Sequence, residues 1–173
     1  MTSWRDNADL TIKILGLGAA LFGVLKYFSD AEDARLQATR QAAISYVEIY
    51  GSAELRDRRQ RLFEFWLANA DVRSYLQRKG VSAADYRSFL LEAFKYDRKP
   101  TELLSAIYAM GSFYDQLALC KSTEICDAKI VDTHFCGGAK EFLRVYGPII
   151  DWLAQSSGTQ DFGEGARYLG GSC

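Results

Sequence analysis

The sequence contains one histidine, His134, among its 173 residues. Motifs that need two histidines are therefore excluded, including the two-histidine zinc helix and the paired Glu-x-x-His sites of di-iron bundles. Neither a Gly-x-Ser-x-Gly nucleophile elbow nor a glycine-rich phosphate loop followed by Lys and Ser or Thr occurs. Because these common catalytic signatures are missing, we expect that the chain is not an enzyme.

Proline and net charge are also scarce. The only prolines are Pro100 and Pro148, and 21 basic residues nearly balance 22 acidic ones, which leaves a formal net charge of −1. Such a balance gives no global field that would attract nucleic acid. An arginine cluster lies between residues 56 and 61, but Asp57 interrupts it. A solvated, salt-bridged face is therefore favoured there over contact with nucleic acid or anionic lipid, and no nucleic-acid partner is expected.

Strand patterns are absent from the sequence as well. No run alternates Val, Ile or Thr with polar residues, and no Asn-Gly turn occurs. Ala, Leu, Arg, Glu and Gln are abundant, and apolar side chains recur at helical spacing. We predict an all-α protein, in which an N-terminal transmembrane helix is followed by a compact helical bundle of about five helices.

The membrane prediction rests on residues 10–28, LTIKILGLGAALFGVLKYF. The stretch from Ile14 to Leu25 is apolar without a break, and a lysine lies at each end, from which a long side chain can reach the headgroups. Amphipathic aromatic residues on both sides suit the membrane interface. The predicted interface anchors are Trp4, Lys13, Lys26 and Tyr27. Residues 1–9 would form a short N-terminal leader.

Three alternatives compete for the same segment. It could be a signal peptide cleaved after small residues such as Ser29 and Ala31. It could instead be a buried helix of a soluble domain. A dinucleotide-binding fingerprint is the third alternative, because Gly16 and Gly18 follow an apolar stretch. Leu21 occupies the third glycine position of that fingerprint, where a small residue is needed, so this interpretation is disfavoured.

Small residues within residues 10–28 indicate how the predicted helix would pack. Gly16 and Ala20 are four residues apart, as are Ala19 and Gly23. This spacing lets a second helix approach closely, so we expect the span to contact membrane lipid and either another membrane protein or a second copy. More Lys and Arg follow the span than precede it, which favours a single-pass inner (plasma) membrane protein with a cytoplasmic helical domain.

The rest of the chain divides into a domain and a tail. Residues 29–155 are predicted to form the helical domain, with an irregular stretch from 121 to 136. The last helix is predicted from about residue 139 to 154, because Gly137-Gly138 precedes it, and Pro148 should kink or restart it. Residues 156–173 are rich in Gly and Ser and are predicted to be a flexible C-terminal tail.

The one constellation with chemical potential is Cys120, Cys126, His134 and Cys136. Five, seven and one residues separate these positions, and no Cys-x-x-Cys pair occurs. Thiolates and imidazole suit Zn²⁺, so a structural zinc site is one hypothesis, and zinc is the only cofactor considered. A Cys120–Cys126 disulfide, which requires an oxidising compartment, is the second. Ordinary packed thiols are the third.

Three segments carry a resemblance to a known family. They read AELRDRRQRLFEFW from Ala53 to Trp66, IYAMGSFYDQLALC from Ile107 to Cys120, and FLRVYGPIIDWL from Phe142 to Leu153. Together with the N-terminal span, this order resembles an uncharacterised family of bacterial membrane-anchored helical proteins, a domain-of-unknown-function family. The resemblance covers roughly residues 10–155. It implies no activity and no catalytic residues, and the cysteines and His134 are not part of its pattern.

These observations lead to a functional expectation. We expect a membrane-anchored helical accessory or scaffold protein that acts through protein–protein contacts. One alternative is a membrane-tethered effector or sensor in stress or phage defence. A second alternative is a metal or redox module built on the Cys/His constellation.

Overall fold

A computed structural model describes the backbone of residues 3–77, 81–159 and 161–173, and the side chains of these residues except 3–21, 70 and 73. All regular structure in these residues is α-helical, which confirms the predicted all-α class. The helices are α1 (Ser3–Gly51), α2 (Ala53–Ala68), α3 (Ala70–Gln77), α4 (Ala83–Lys95), α5 (Pro100–Ser122), α6 (Ala128–Ser157) and α7 (Glu164–Gly171). The chain divides into two units, residues 1–39 and residues 40–173.

The first unit consists of the N-terminal part of α1. Every side chain described from Phe22 to Gln37 is exposed. Among the residues that the structure describes, no helix is long and apolar enough to cross a membrane. The side chains of residues 10–21, which make up most of the predicted span, lie outside the described residues. The predicted transmembrane helix therefore stays a prediction.

The core of the second unit forms around α5, which packs against α2, α6 and α7. Pro100 lies in the first turn of α5, where its missing N–H costs no hydrogen bond. Buried side chains recur every three or four residues along α5, so the helix presents one continuous apolar face. The buried residues are Leu103, Ala106, Ile107, Met110, Gly111, Phe113, Tyr114, Leu117, Ala118 and Cys120.

Two buried tyrosines tie the outer helices to α6. The Tyr86 hydroxyl of α4 donates to the Val145 carbonyl at 2.7 Å, and the Tyr146 hydroxyl donates to the Leu62 carbonyl of α2 at 2.7 Å. Burial raises the pKa of both tyrosines well above the usual value. Both hydroxyls therefore remain protonated donors, and they fix the rotation of α6 relative to its neighbours.

The structure corrects the predicted start of the last helix. α6 begins at Ala128, where Asp127 caps it by accepting hydrogen bonds from the Lys129 and Ile130 amides at 2.9 and 3.1 Å. The helix then continues through Gly137-Gly138 and Pro148 to Ser157. At Gly138 a Cβ would lie 3.1 Å from the Tyr114 hydroxyl, so this glycine allows close packing and does not end the helix.

The prediction of a flexible tail from residue 156 is wrong for its second half. Helix α7 packs against α5 and α6, and Phe162, Ala166 and Leu169 are buried. The Asp115 carboxylate of α5 accepts hydrogen bonds from the Gly163 and Gly165 amides at 3.0 and 2.8 Å. These contacts supply partners for amides at the helix start that have none within the helix.

Glycines make this docking sterically feasible. The Phe162 ring lies against Gly111 of α5, where a Cβ would be 2.5 Å from Cζ of the ring. Gly163 adopts φ +84°, a left-handed conformation that favours glycine. At Gly165 a Cβ would lie 2.4 Å from the Cα of Asp115, so the two backbones touch.

The Gly165→Ala variant should therefore be destabilised. The added methyl group meets backbone, which cannot move aside as a side chain can, so we expect the free energy of unfolding to fall by about 1–3 kcal/mol. Urea unfolding of the full chain, followed by circular dichroism, measures this loss.

Gly147→Ala is the matched control, because a Cβ at Gly147 of α6 meets nothing within 4 Å. Here the replacement should raise stability by about 0.5–1 kcal/mol, through the better helix propensity of alanine. If Gly165→Ala were as stable as Gly147→Ala, the described docking of α7 would be incorrect.

Candidate functional site

The second unit contains a groove between α2 and α6, which we call the α2–α6 groove. It encloses about 430 Å³, within the range of small-molecule sites. From each helix it is lined by positions spaced i, i+3, i+4 and i+7, which share one helical face. Its lining residues are Tyr50, Arg59, Leu62, Phe63, Trp66, Gly138, Glu141, Phe142, Val145 and Tyr146.

Arg59 is the cation of the groove. Its guanidinium carbon lies 3.9 Å from the centre of the Tyr50 ring, and its Nη2 donates to the Tyr50 carbonyl at 3.0 Å. Stacking and hydrogen bonding together hold the guanidinium in one orientation. Its Nε is buried and has no hydrogen-bond partner among the described residues.

The acid of the groove, Glu141, is already neutralised within α6. Arg144 donates from Nε to Oε2 of Glu141 at 2.7 Å and from Nη2 to Oε1. This pairing with Arg144 lowers the pKa of Glu141, so the carboxylate stays ionised. The Glu141–Arg144 pair therefore adds no net charge to the groove.

Two tyrosine hydroxyls lie beside Gly138, at the base of the groove. A Cβ at Gly138 would be 3.1 Å from the Tyr114 hydroxyl and 3.9 Å from the Tyr50 hydroxyl. Burial, followed by the influence of Tyr50, raises the pKa of Tyr114. The Tyr114 hydroxyl is thus neutral at ordinary pH, and Arg59 supplies the positive charge of this region.

The apolar lining of the groove comes from both helices, and Phe63 of α2 is its most exposed apolar side chain. The Phe63 ring stacks on Trp66, with centroids 6.1 Å apart and planes at 25°. Phe63 is 51% exposed, although it lies in a well-packed unit. The groove therefore combines an aromatic wall that is open to solvent with a fixed cation.

The predicted Cys/His constellation is divided between two disulfides. Cys120 pairs with Cys126, with Cα atoms 5.2 Å apart, and Cys136 pairs with Cys173 at 5.8 Å. Both distances suit a disulfide. The Cys120–Cys126 pair is the disulfide that the second hypothesis for these residues proposed. The Cys136–Cys173 pair was missed, because its C-terminal partner was assigned to a flexible tail.

The zinc hypothesis for Cys120, Cys126, His134 and Cys136 is not supported by this arrangement. A sulfur in a disulfide is not available as a thiolate ligand. His134 is exposed on α6. In the described part of the chain, no three His, Cys, Asp or Glu side chains are placed to hold a metal ion. A zinc site at these four residues would require both disulfides to be reduced, and it stays a prediction.

The predicted membrane residues are only partly described. The side chains of Trp4, Lys13, Gly16, Ala19 and Ala20 lie outside the described residues. Lys26 and Tyr27 are exposed, and the space around Gly23 is open to 4 Å. Their roles as interface anchors and packing positions stay predictions.

Comparison with known proteins identifies the family. A family model described as Domain of unknown function (DUF4760) matches residues 10–165. The chain belongs to this family. The expected resemblance to an uncharacterised family is thereby confirmed. No curated protein and no solved structure matches the chain.

The DUF4760 match covers the predicted membrane segment, residues 10–28, and every residue that lines the α2–α6 groove. It ends at the start of α7. Cys173 lies beyond the match. The Cys136–Cys173 bridge thus joins the matched region to the C-terminal end of the chain.

The two disulfides should stabilise this DUF4760 protein to different extents. Replacing Cys136 and Cys173 together by alanine removes a link of sequence separation 37, whereas the Cys120–Cys126 link has separation 6. We expect the first double variant to lose about 2–4 kcal/mol of unfolding free energy and the second to lose less, because a longer loop restricts the unfolded chain more.

Urea unfolding of the oxidised full chain in mild detergent measures both losses. Dithiothreitol should lower the stability of the wild type and leave a variant without all four cysteines unchanged. A wild type that is equally stable with and without reductant would contradict the assigned pairing.

Proposed function

We propose that this DUF4760 protein is a membrane-anchored, non-enzymatic helical protein that acts as an accessory subunit or scaffold through protein–protein contacts. Residues 10–28 would insert in the bilayer. There they would contact lipid and either another membrane protein or a second copy. Residues 40–173 would then present a folded helical surface at the membrane.

The observation that carries this proposal is the exposure of apolar side chains in the first unit. Phe22, Leu25, Tyr27 and Phe28 are 66–70% exposed, and Val24 is 52% exposed. At 100° per residue these positions spread over an arc of about 220° of the helix surface, which is more than a single packed neighbour would cover. A bilayer or a partner helix is the environment that would remove this surface from water.

The arrangement of acids in the second unit supports a non-catalytic role. Asp97 pairs with Arg61, Asp132 with Lys121, and Asp151 with Arg167. The Asp115 carboxylate is engaged by the amides at the start of α7. These four carboxylates thus form contacts within the fold, which is a structural role.

A second candidate function is a membrane-tethered sensor, which the α2–α6 groove favours. A scaffold needs only an outer surface, whereas a sensor needs a site of ligand size. The groove has that size, and Arg59 and the Phe63 ring offer two different kinds of contact.

The cysteine pairs bear on the compartment of the helical domain. The distribution of Lys and Arg favours the cytoplasmic side by a small margin. Disulfides persist in oxidising compartments and are rare in the cytosol. Because all four cysteines are paired, we propose instead that residues 40–173 face an oxidising compartment.

The anchor is tested by placing charge within residues 10–28. The double variant Leu17→Arg/Leu21→Arg should fail to insert, because each arginine near the centre of a span costs about 2.5–3.5 kcal/mol of insertion free energy. After an alkaline carbonate wash, we expect the wild type in the membrane pellet and the variant in the supernatant.

The control, Leu36→Arg/Ile49→Arg, adds the same charge at two exposed positions of α1 outside the predicted span. It should stay in the pellet. Recovery of the wild type in the supernatant, or of the Leu17→Arg/Leu21→Arg variant in the pellet, would show that residues 10–28 do not anchor the protein.

A further inference from the structure

The charges of the α2–α6 groove are unbalanced. Among the described residues, no carboxylate pairs with Arg59, and the nearest acid of the groove, Glu141, is engaged by Arg144 through two nitrogens. The Arg59 Nε is buried without a hydrogen-bond partner. Arg59 is therefore a partly buried cation that lines the groove without a balancing carboxylate among the described residues, and an anion in the groove would balance its charge.

Arg59 differs in its charge pairing from Arg61, whose Nε is likewise buried without a hydrogen-bond partner. Arg61 pairs with Asp97 and donates to the Lys99 carbonyl. Arg58 donates to the Ser105 hydroxyl, and Arg56 is exposed and donates to the Gly51 carbonyl. Of these four arginines, only Arg59 lines the α2–α6 groove, where no described carboxylate pairs with it.

The apolar side of the groove sets a second requirement for a ligand. The Phe63 ring is half exposed and stacks on Trp66. An aromatic face that is open to solvent gains free energy when an apolar group covers it. A small inorganic anion would satisfy Arg59 and leave this face uncovered.

We infer that the α2–α6 groove binds a small amphiphilic anion, with one carboxylate or phosphate group at Arg59 and an apolar body against Phe63 and Trp66. The volume of about 430 Å³ accommodates one such molecule. The site does not depend on the proposed anchor, because all its residues lie within residues 40–173.

Octanoate is a suitable probe, since it carries one carboxylate on a short apolar chain. The full chain, placed in phosphatidylcholine nanodiscs, would carry Trp4→Phe and Trp152→Phe, which leaves Trp66 as the one tryptophan. Octanoate should change the Trp66 fluorescence saturably. Octan-1-ol, which lacks the charge, and inorganic phosphate, which lacks the apolar body, should each bind at least about tenfold more weakly.

Arg59→Met keeps an apolar side chain of similar length and removes the cation. We expect it to weaken octanoate binding about 10- to 100-fold, as for loss of a charge-assisted hydrogen bond. Arg56→Met is the matched control on the same helix and should change the affinity less than about twofold. Phe63→Ala, at an exposed position that tolerates truncation, should weaken both octanoate and octan-1-ol.

Three results would overturn the proposal. The first is that octanoate gives no saturable signal with the wild type, and the second is that Arg59→Met binds octanoate as tightly as the wild type does. The third is that the wild type binds octanoate and octan-1-ol with equal affinity. Should Arg59→Met fail to fold, an unchanged octanoate affinity in Phe63→Ala would overturn it as well. Adding phosphatidylglycerol to the nanodiscs identifies the source of the anion. If phosphatidylglycerol competes with octanoate, the natural ligand is a lipid headgroup. If it does not compete, the natural ligand is a soluble amphiphile.

Discussion

The Asp115 carboxylate accepts hydrogen bonds from the Gly163 and Gly165 amides, and much of the second unit depends on this contact. It fixes the start of α7 against α5, where two backbones touch at a distance that only glycine permits. With α7 in place, Phe162 fills the space above Gly111, and Leu169 is buried. The disulfide between Cys136 and Cys173 then holds the far end of α7 to α6.

The docking of α7 also affects the α2–α6 groove, because α7 packs against α6. One side of α6 is held by α5 and α7, and the Tyr146 hydroxyl links α6 to the Leu62 carbonyl of α2. Because α6 is held from both sides, the distance between α2 and α6 is set by these contacts. Side chains connect the two helices but leave the groove between them open. A rigid groove with a fixed cation is preorganised for a ligand, since little side-chain entropy remains to be lost on binding.

Local patterns predicted the helical class, because helical periodicity depends only on neighbours in sequence. The features that were missed depend on residues far apart in the chain. Gly138 was predicted to lie just before the last helix, but it lies within α6 and allows Tyr114 to pack closely against that helix. Helix α7 contains three glycines and has a weak intrinsic preference for helix, so Asp115, about 50 positions earlier, is what stabilises its start.

The candidate site was missed for the same reason. Within the sequence, Arg59 is one arginine among several, and its stacking on Tyr50 arises only when the end of α1 meets α2. The most direct test of the whole arrangement is hydrogen exchange of the Gly165 amide, measured by NMR on the oxidised full chain. We expect protection comparable to that of amides in the middle of α5. Exchange at the rate of an unstructured peptide would contradict the docking of α7 on which the fold and the groove depend.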